Sequence, residues 1–444
     1  MDIQIMIVVL FIAGYAAITL EHTLKVDKLI PALGMMALLW AIIALAHMDV
    51  FNVNSVLKQL EPTHLEEILL HHLGKTAEIL IFLIGAMTIV EIIDYFDGFS
   101  TIKSFIRTKS KVRLLWIFSI LAFILSAIID NLTATIVLIT ILQKVIRERE
   151  TRLWFAGLIV IAANAGGAWS PIGDVTTTML WIANKVTAWQ LVEHTFIPSV
   201  MCMVVPVLIA SRFKVFSGEI DVELKDEEQP SKYGATMLYL GLGAIIFVPV
   251  FKTITHLPPY IGMMLSLAFV ATFAEVFSNR SFDLTNVGEE EDASNAAAHH
   301  SPVHKSLGKV EMPSILFFLG ILMAVAALES LGMLFNFAID LDTAIPNRDV
   351  VVGILGVGSA IIDNVPLVAA SIGMFSEPLD HPLWHFIAYS AGTGGSILII
   401  GSAAGVVAMG MEKINFFWYL KKIGMLALLG FVAGGITFIL IRDL

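Results

Sequence analysis

The hexapeptide Ser-Ala-Ile-Ile-Asp-Asn occurs at 126–131 and again at 359–364, each time inside an otherwise apolar stretch. The Asp-Asn pair cuts each stretch, 114–143 and 350–375, into arms of about 12 to 16 residues, short of the roughly 20 that a spanning helix needs. A carboxylate in such a run costs roughly 2.5 to 3.5 kcal/mol on insertion scales. The cost is incurred twice, at matching places, which marks Asp130 and Asp363 as functional.

Composition makes the bilayer the solvent. The chain is 57% hydrophobic and 15% charged, with a mean hydropathy of +0.84. It carries many runs of about 18 or more apolar residues, each able to cross a hydrocarbon core about 30 Å thick. An all-α polytopic membrane protein is expected. The single cysteine, Cys202, excludes an internal disulfide. Met1–Leu20 has no basic leader and reads as an uncleaved first span. A net charge of −11 without a basic patch excludes nucleic acid as a partner.

Crossing segments are expected at 4–20, 29–47, 77–96, 153–185, 194–211, 234–251, 260–278, 311–332, 384–411 and 423–441. Lys103, Arg107, Lys109, Lys111 and Arg113 precede the stretch 114–143, and Lys144, Arg147, Arg149 and Arg152 follow it. Basic loops stay cytoplasmic, so this stretch is predicted to be a re-entrant hairpin with Asp130-Asn131 at its tip. The stretch 350–375 is flanked by Asp340, Asp342, Asp349, Glu377 and Asp380 with Arg348 as its one base, which predicts a hairpin from outside. The inner loops then hold 21 of the 27 bases and both termini face outward. Residues 279–310, with the acidic run Glu289–Asp292, read as a solvated cytoplasmic linker within the second half.

The halves are copies. Ile81–Gly85 resembles Leu316–Gly320, and Ala165–Asp174 aligns with Thr393–Ser402. The expected architecture is two inverted-topology repeats, each of five spans plus a re-entrant hairpin, with one of the spans broken. The first repeat is 1–222 (hairpin 114–143, broken helix 153–185) and the second 234–444 (hairpin 350–375, broken helix 384–411). Inverted repeats with discontinuous helices are a signature of secondary transporters, whose sites lie near the midplane.

The interruption Asn164–Asp174 contains Pro171 and three glycines, which free backbone carbonyls that protein, water or an ion must satisfy. Asp130, Asn131, Thr133 and Thr135 at one tip, with Asn164, Ser170, Asp174, Thr176 and Thr177 at the first break, supply hard oxygen ligands. Asp363, Asn364, Thr393, Ser396 and Ser402 form the second set. Such ligands suit Na⁺, Li⁺, H₃O⁺ or alkaline earths and not soft metals. Three buried acids, with no Arg or Lys inside the spans, give the site a negative field. The second broken helix has Ser402 where the first has Asp174, so two sites of unequal charge are expected.

Other features have plainer readings. Asn131-Leu132-Thr133 matches a glycosylation acceptor but sits at membrane depth. Gly353–Gly358, like Gly430 and Gly434, reads as helix packing through small residues. Glu91, Glu275 and Glu329 fall near helix ends, where a side chain snorkels to water. His22, His71, His72, His194 and His256 read as solvated. No nucleophile with a base or metal quartet appears, so no enzyme is expected and no cofactor.

The tip Ile129–Thr135, Ser170–Asp174, Ile362–Pro366 and the Gly394-Gly395 break together resemble the ion transporter superfamily, most closely its NhaD-type sodium/proton antiporters. The resemblance runs nearly end to end. It implies exchange of cytoplasmic Na⁺ or Li⁺ for external H⁺, with Na⁺ at Asp130, Asn131, Asp174, Asp363 and Asn364. It further implies a homodimer in a bacterial inner membrane, with a scaffold part and a transport part that moves as an elevator. Dicarboxylate relatives carry Ser-Asn-Thr at their tips where this chain has aspartates. A permease for arsenite, or another small substrate of the superfamily, is the alternative.

Overall fold

A computed structural model describes residues 3–19, 25–54, 59–105, 108–220, 233–283, 301–361 and 364–442. Asp363, His22 and the acidic run 289–292 lie outside the described residues. Helix dominates because in hydrocarbon each backbone N–H and C=O must be satisfied within its own segment.

The first half contains α1 (Ile3–Thr19), α2 (Leu29–Leu45), α3 (Leu65–Tyr95), α4 (Lys111–Ile129), α5 (Asn131–Val145), α6 (Arg149–Gly167), α7 (Val175–Ile182) and α8 (Ala188–Ala210). The second contains α9 (Gly234–Thr255), α10 (Pro259–Asp283), α11 (Pro302–Leu307), α12 (Met312–Ser330), α13 (Met333–Ala344), α14 (Arg348–Gly358), α15 (Asn364–Met374), α16 (Pro382–Gly394) and α17 (Ala403–Glu412). It ends with α18 (Phe416–Tyr419) and α19 (Met425–Ile441), joined through a π turn at Leu420–Gly424. Among the described residues, 7 helices are long and apolar enough to cross a membrane, by length and composition.

Four features depart from the sequence reading. An antiparallel ribbon, β1 (Val50–Asn54) on β2 (Gln59–Thr63), stands between α2 and α3, so the chain is not wholly helical. Helix α3 begins at Leu65 rather than 77, carrying polar residues that hydropathy excluded; Glu66 and Glu67 in its first turn suit the positive end of the helix dipole. The first hairpin arm, α4, has 19 residues, long enough to cross. Residues 301–310 are not simply a solvated linker: Pro302 and Ser306 are buried, and α11 packs on α3 and α10.

The ends of both hairpin stretches lie together. Lys111 Nζ is 3.0 Å from Glu148 Oε2, and Arg348 Nη1 is 2.5 Å from Glu377 Oε1. Hydrogen bonds from the Thr151 hydroxyl and then Lys111 hold the Glu148 carboxyl below the usual range. The α4–α5 pair therefore folds back despite the length of α4. Arg152 Nε meets Glu412 Oε2 at 3.1 Å, placing the start of α6 beside the end of α17. At the opposite end, Thr187 N donates to Asp380 Oδ1 at 2.6 Å and Asp380 N to Lys185 O at 2.9 Å, placing the end of α7 beside the start of α16. The broken helices α6–α7 and α16–α17 thus run antiparallel, and the two hairpins open toward opposite ends.

Packing sorts the helices into two groups. One contains α1–α3 with α9–α12; the other contains α4–α8 with α14, α16, α17 and α19, and α15 touches both. In the second group α19 lies along α8, where a side chain at Gly434 would collide with the Tyr389 hydroxyl and the Pro198 carbonyl. This is the helix packing expected of that glycine. Overpacking of this kind costs about 1 to 3 kcal/mol, so Gly434→Leu is expected to lower the thermal unfolding midpoint of the purified protein. An unaltered midpoint would show that the contact relaxes freely.

Candidate ion-binding site

Helix α4 stops because Asp130 takes φ 85 and ψ 156, a conformation that L residues rarely adopt and that costs about 1 to 3 kcal/mol. The same residue caps α5: its Oδ1 accepts from Thr133 N at 2.8 Å and its Oδ2 from Thr133 Oγ1 at 2.9 Å. The serine of the repeated hexapeptide does one job in both copies. Ser126 Oγ donates to Ala163 O at 2.5 Å and Ser359 Oγ to Ala391 O at 3.1 Å, each tying a hairpin to the turn before a break. A side chain at Gly166 or Gly394 would strike the carbonyl of Phe123 or Gly356, so the breaks press directly on the hairpins.

Asp174 is the hub. It stands at the start of α7, 4% exposed, in the position of an N-cap, yet its side chain does not cap the helix. Its Oδ1 accepts from Asn131 Nδ2 at 3.4 Å; its Oδ2 accepts from Thr176 Oγ1 at 2.7 Å and from Asn364 Nδ2 at 2.9 Å. Asn131 Nδ2 also donates to Asn164 Oδ1 at 3.1 Å, and Asn164 Nδ2 donates to Ser402 Oγ at 3.0 Å. Ser402 caps α17 by accepting from Gly405 N at 3.2 Å. Both tips and both breaks therefore meet in one network. The expectation of two separate sites is replaced by a single shared cluster, because the antiparallel broken helices bring their interruptions to the same depth.

The remaining candidates divide. Half-buried Asp130 lines a cavity of about 80 Å³ together with Asn131, Asp174 and Asn364. Thr177 Oγ1 donates to the carbonyls of Asp174 and Gly167, Thr393 Oγ1 to Tyr389 O, and Ser396 Oγ to Thr393 O. Thr135 Oγ1 donates to Asn131 O. These hydroxyls donate to nearby backbone carbonyls and do not join the side-chain network. Ser170 is buried and accepts from Ile172 N at 3.4 Å, also apart from it.

The sequence reading missed Lys28. Its side chain lines the same cavity as Asp130 and Asp174, with Nζ 4.5 Å from the centroid of the Phe317 ring. Among the described residues it is the one base lining that cavity. It stands a single residue before an apolar run, so sequence counted it as a loop base; the direction of a four-carbon stem is not written in the order of residues. His72, read as solvated, is 6% exposed, and His194 stacks on buried His385 at 4.7 Å. Glu91 lies 3.9 Å from Lys309, and Glu275 accepts from Ser301 Oγ.

Residues 7–384 match the family described as CitMHS, citrate transporter. Sodium/proton antiporter 1 of Arabidopsis thaliana is 40% identical over 441 residues, covering 98% of this chain and 72% of that protein. Na(+)/H(+) antiporter NhaD of Vibrio cholerae is 32% identical over 450 residues, covering 98% of this chain and 91% of that protein. The chain belongs to the CitMHS family, beside its NhaD-type sodium/proton antiporters. As a family member it is a multi-pass membrane protein, in keeping with the apolar helices above.

In this family member, losing the Asn364 amide leaves a buried carboxylate oxygen short of a donor, at a cost of about 1 to 3 kcal/mol. Asn364→Ala is expected to lower the unfolding midpoint, and Asp174→Asn in the same background to recover part of the loss. Additive effects of the two substitutions would show that the bond is not coupled.

Proposed function

We propose that the chain is a secondary transporter that exchanges cytoplasmic Na⁺ or Li⁺ for external H⁺ by alternating access. The carrying observation is the Asp174 hub. A buried carboxylate accepts hydrogen bonds from side-chain amides of both halves and from a hydroxyl, beside Asp130, in a cavity lined by both helix groups. Hard oxygens and negative charge fit a small hard cation. A proton and Na⁺ compete for the same carboxylate oxygens, and competition gives exchange when the empty, charged site does not cross the membrane. The names of the NhaD-type relatives support this reading. The family description supports citrate instead, but a tricarboxylate needs several cationic anchors. Lys28 is the one base among the described cavity residues, facing two acids.

The antiparallel broken helices and oppositely opening hairpins support two inverted repeats. The division into two helix groups supports an elevator in which the group of α4–α8 moves against the group of α1–α3, the latter also holding a second copy in a homodimer. Asp363, outside the described residues, is assigned by this reading to the same cluster as Asn364. The location assigned is the inner membrane of a bacterium.

Reconstituted in proteoliposomes, the protein is expected to move protons in response to a Na⁺ gradient. Asp130→Asn and Asp174→Asn should each abolish that flux, while Ser402→Ala should weaken Na⁺ affinity. Flux driven by citrate and indifferent to Na⁺ would replace this reading with the family description.

Lys28 is a tethered cation in the same negative cavity, so it opposes Na⁺ binding. Lys28→Gln is expected to lower the KM for Na⁺ by about three- to tenfold, the size of roughly 1 kcal/mol of charge interaction, and Lys28→Arg to keep the wild-type value. An unchanged KM in Lys28→Gln would show that the ammonium is held away from the ion by Phe317.

A further inference from the structure

A second polar cavity, of about 280 Å³, lies on the same boundary between the two helix groups. The two cavities are in series. Helix α3 lines the second with 72–79 and the first with 82–87; α12 does so with 322–329 and 314–318. Helix α7 contributes 179–182 and 175–178, and α15 contributes 369–372 and 364–365. One helical turn, about 5 Å, separates them along α3, α12 and α15.

Among the described residues the second cavity, like the first, is lined by two acids and one base. Glu329 of α12 meets Lys75 and Glu78 of α3 there, beside Asn184. Lys185, just past α7, acts on Glu329 electrostatically, as does Lys75. From α15 the lining is Ala369 and Ile372, and the Glu329 carboxylate rests against Gly373, whose missing side chain leaves it room. His72 lines the same cavity, is 6% exposed, and its Nε2 has no hydrogen-bond partner among the described residues, so a buried polar atom stands ready for water or a hydrated ion. This space sets the lining acids Glu78 and Glu329 beside the lining base Lys75, and Lys185 acts on Glu329 from beyond the lining.

We propose that this cavity is the far-side vestibule of the transport path, and that Glu329 is a proton-relay carboxylate within it. A hydronium arriving from the far side protonates the Glu329 carboxylate and leaves as water. The carboxylic acid then returns the proton to water on the side of the Asp174 cluster, and the carboxylate is restored. Glu329 is thus not snorkelling from a helix end, and it acts on the exchange reaction without binding the metal ion. The relay rests on the exchange reading, whereas the vestibule does not.

The test has two arms. In a Cys202→Ser background, Ala326→Cys and Ile372→Cys should react with an impermeant methanethiosulfonate from the face opposite to that which labels Lys109→Cys. Failure of both to react from that face, in protein that labels normally at Lys109→Cys, overturns the vestibule whatever ion is carried. In proteoliposomes, Glu329→Gln should slow Na⁺-driven proton flux by about a hundredfold, the lower range for loss of a proton-transfer group. The dependence on far-side pH should change, the KM for Na⁺ at the other face should not, and Glu329→Asp should recover part of the rate. Wild-type dependence on far-side pH in Glu329→Gln overturns the relay, and a raised Na⁺ KM with unchanged pH dependence assigns Glu329 to structure instead. Absence of Na⁺-driven flux in the wild-type protein would strike the exchange reading, leaving the labelling arm to decide the vestibule.

Discussion

A helix interrupted in hydrocarbon leaves backbone carbonyls and amides that no lipid can satisfy. This chain interrupts itself at Asp130, at Gly167–Asp174 and at Gly394–Ser402, and the rest of the structure is arranged around those breaks. Backbone N–H groups of Thr178 and Ser396 close the carbonyls of Asp174 and Thr393, and the hydroxyls of Thr177, Thr393 and Ser396 add further hydrogen bonds to carbonyls beside the breaks. Ser126 and Ser359 bind each break to a neighbouring hairpin. With the backbone so provided for, the amides of Asn131, Asn164 and Asn364 are left to face Asp174 and each other. The side-chain cluster is a consequence of how the breaks are patched.

Helix polarity decides where the patches meet. Salt bridges at the hairpin bases, Lys111 with Glu148 and Arg348 with Glu377, and the contacts of Arg152 with Glu412 and Thr187 with Asp380 fix two antiparallel units. Antiparallel units of similar length bring their midpoints to one level, so two interruptions become a single pocket. The pocket sits where two helix groups touch, with Lys28, Ser314 and Phe318 facing it from one group and the acids and amides from the other.

Departures from expectation share a physical origin. Hydropathy started α3 only at residue 77 because His71, His72 and Lys75 are polar, but a helix surrounded by other helices can carry polar groups into a protein-lined cavity. For the same reason Glu329 and His72, read one residue at a time, look like interfacial groups; only their shared cavity distinguishes them. Ser170 illustrates the converse. It has the right chemistry in the right motif, and the fold turns it toward its own backbone instead of the network.

The sequence by itself determined that the chain lives in a bilayer and that a hexapeptide with its Asp-Asn pair recurs in it, and it singled out Asp130, Asn131, Thr133, Asn164, Ser170, Asp174, Thr177, Asp363, Asn364, Thr393, Ser396 and Ser402 as candidate ion ligands. Apolar run length, glycine and proline in mid-span, and the duplicated Asp-Asn pair are local signals, and burial of charge is costly enough to make them informative. The tertiary structure alone decided that Asn131, Asn164, Asp174, Asn364 and Ser402 form one hydrogen-bonded network, with Asp130 beside it. It also brought Lys28 into the pocket with the acids and set a second polar chamber in line with the first. Those outcomes depend on the direction of helices and the reach of side chains between segments hundreds of residues apart, which no local pattern encodes.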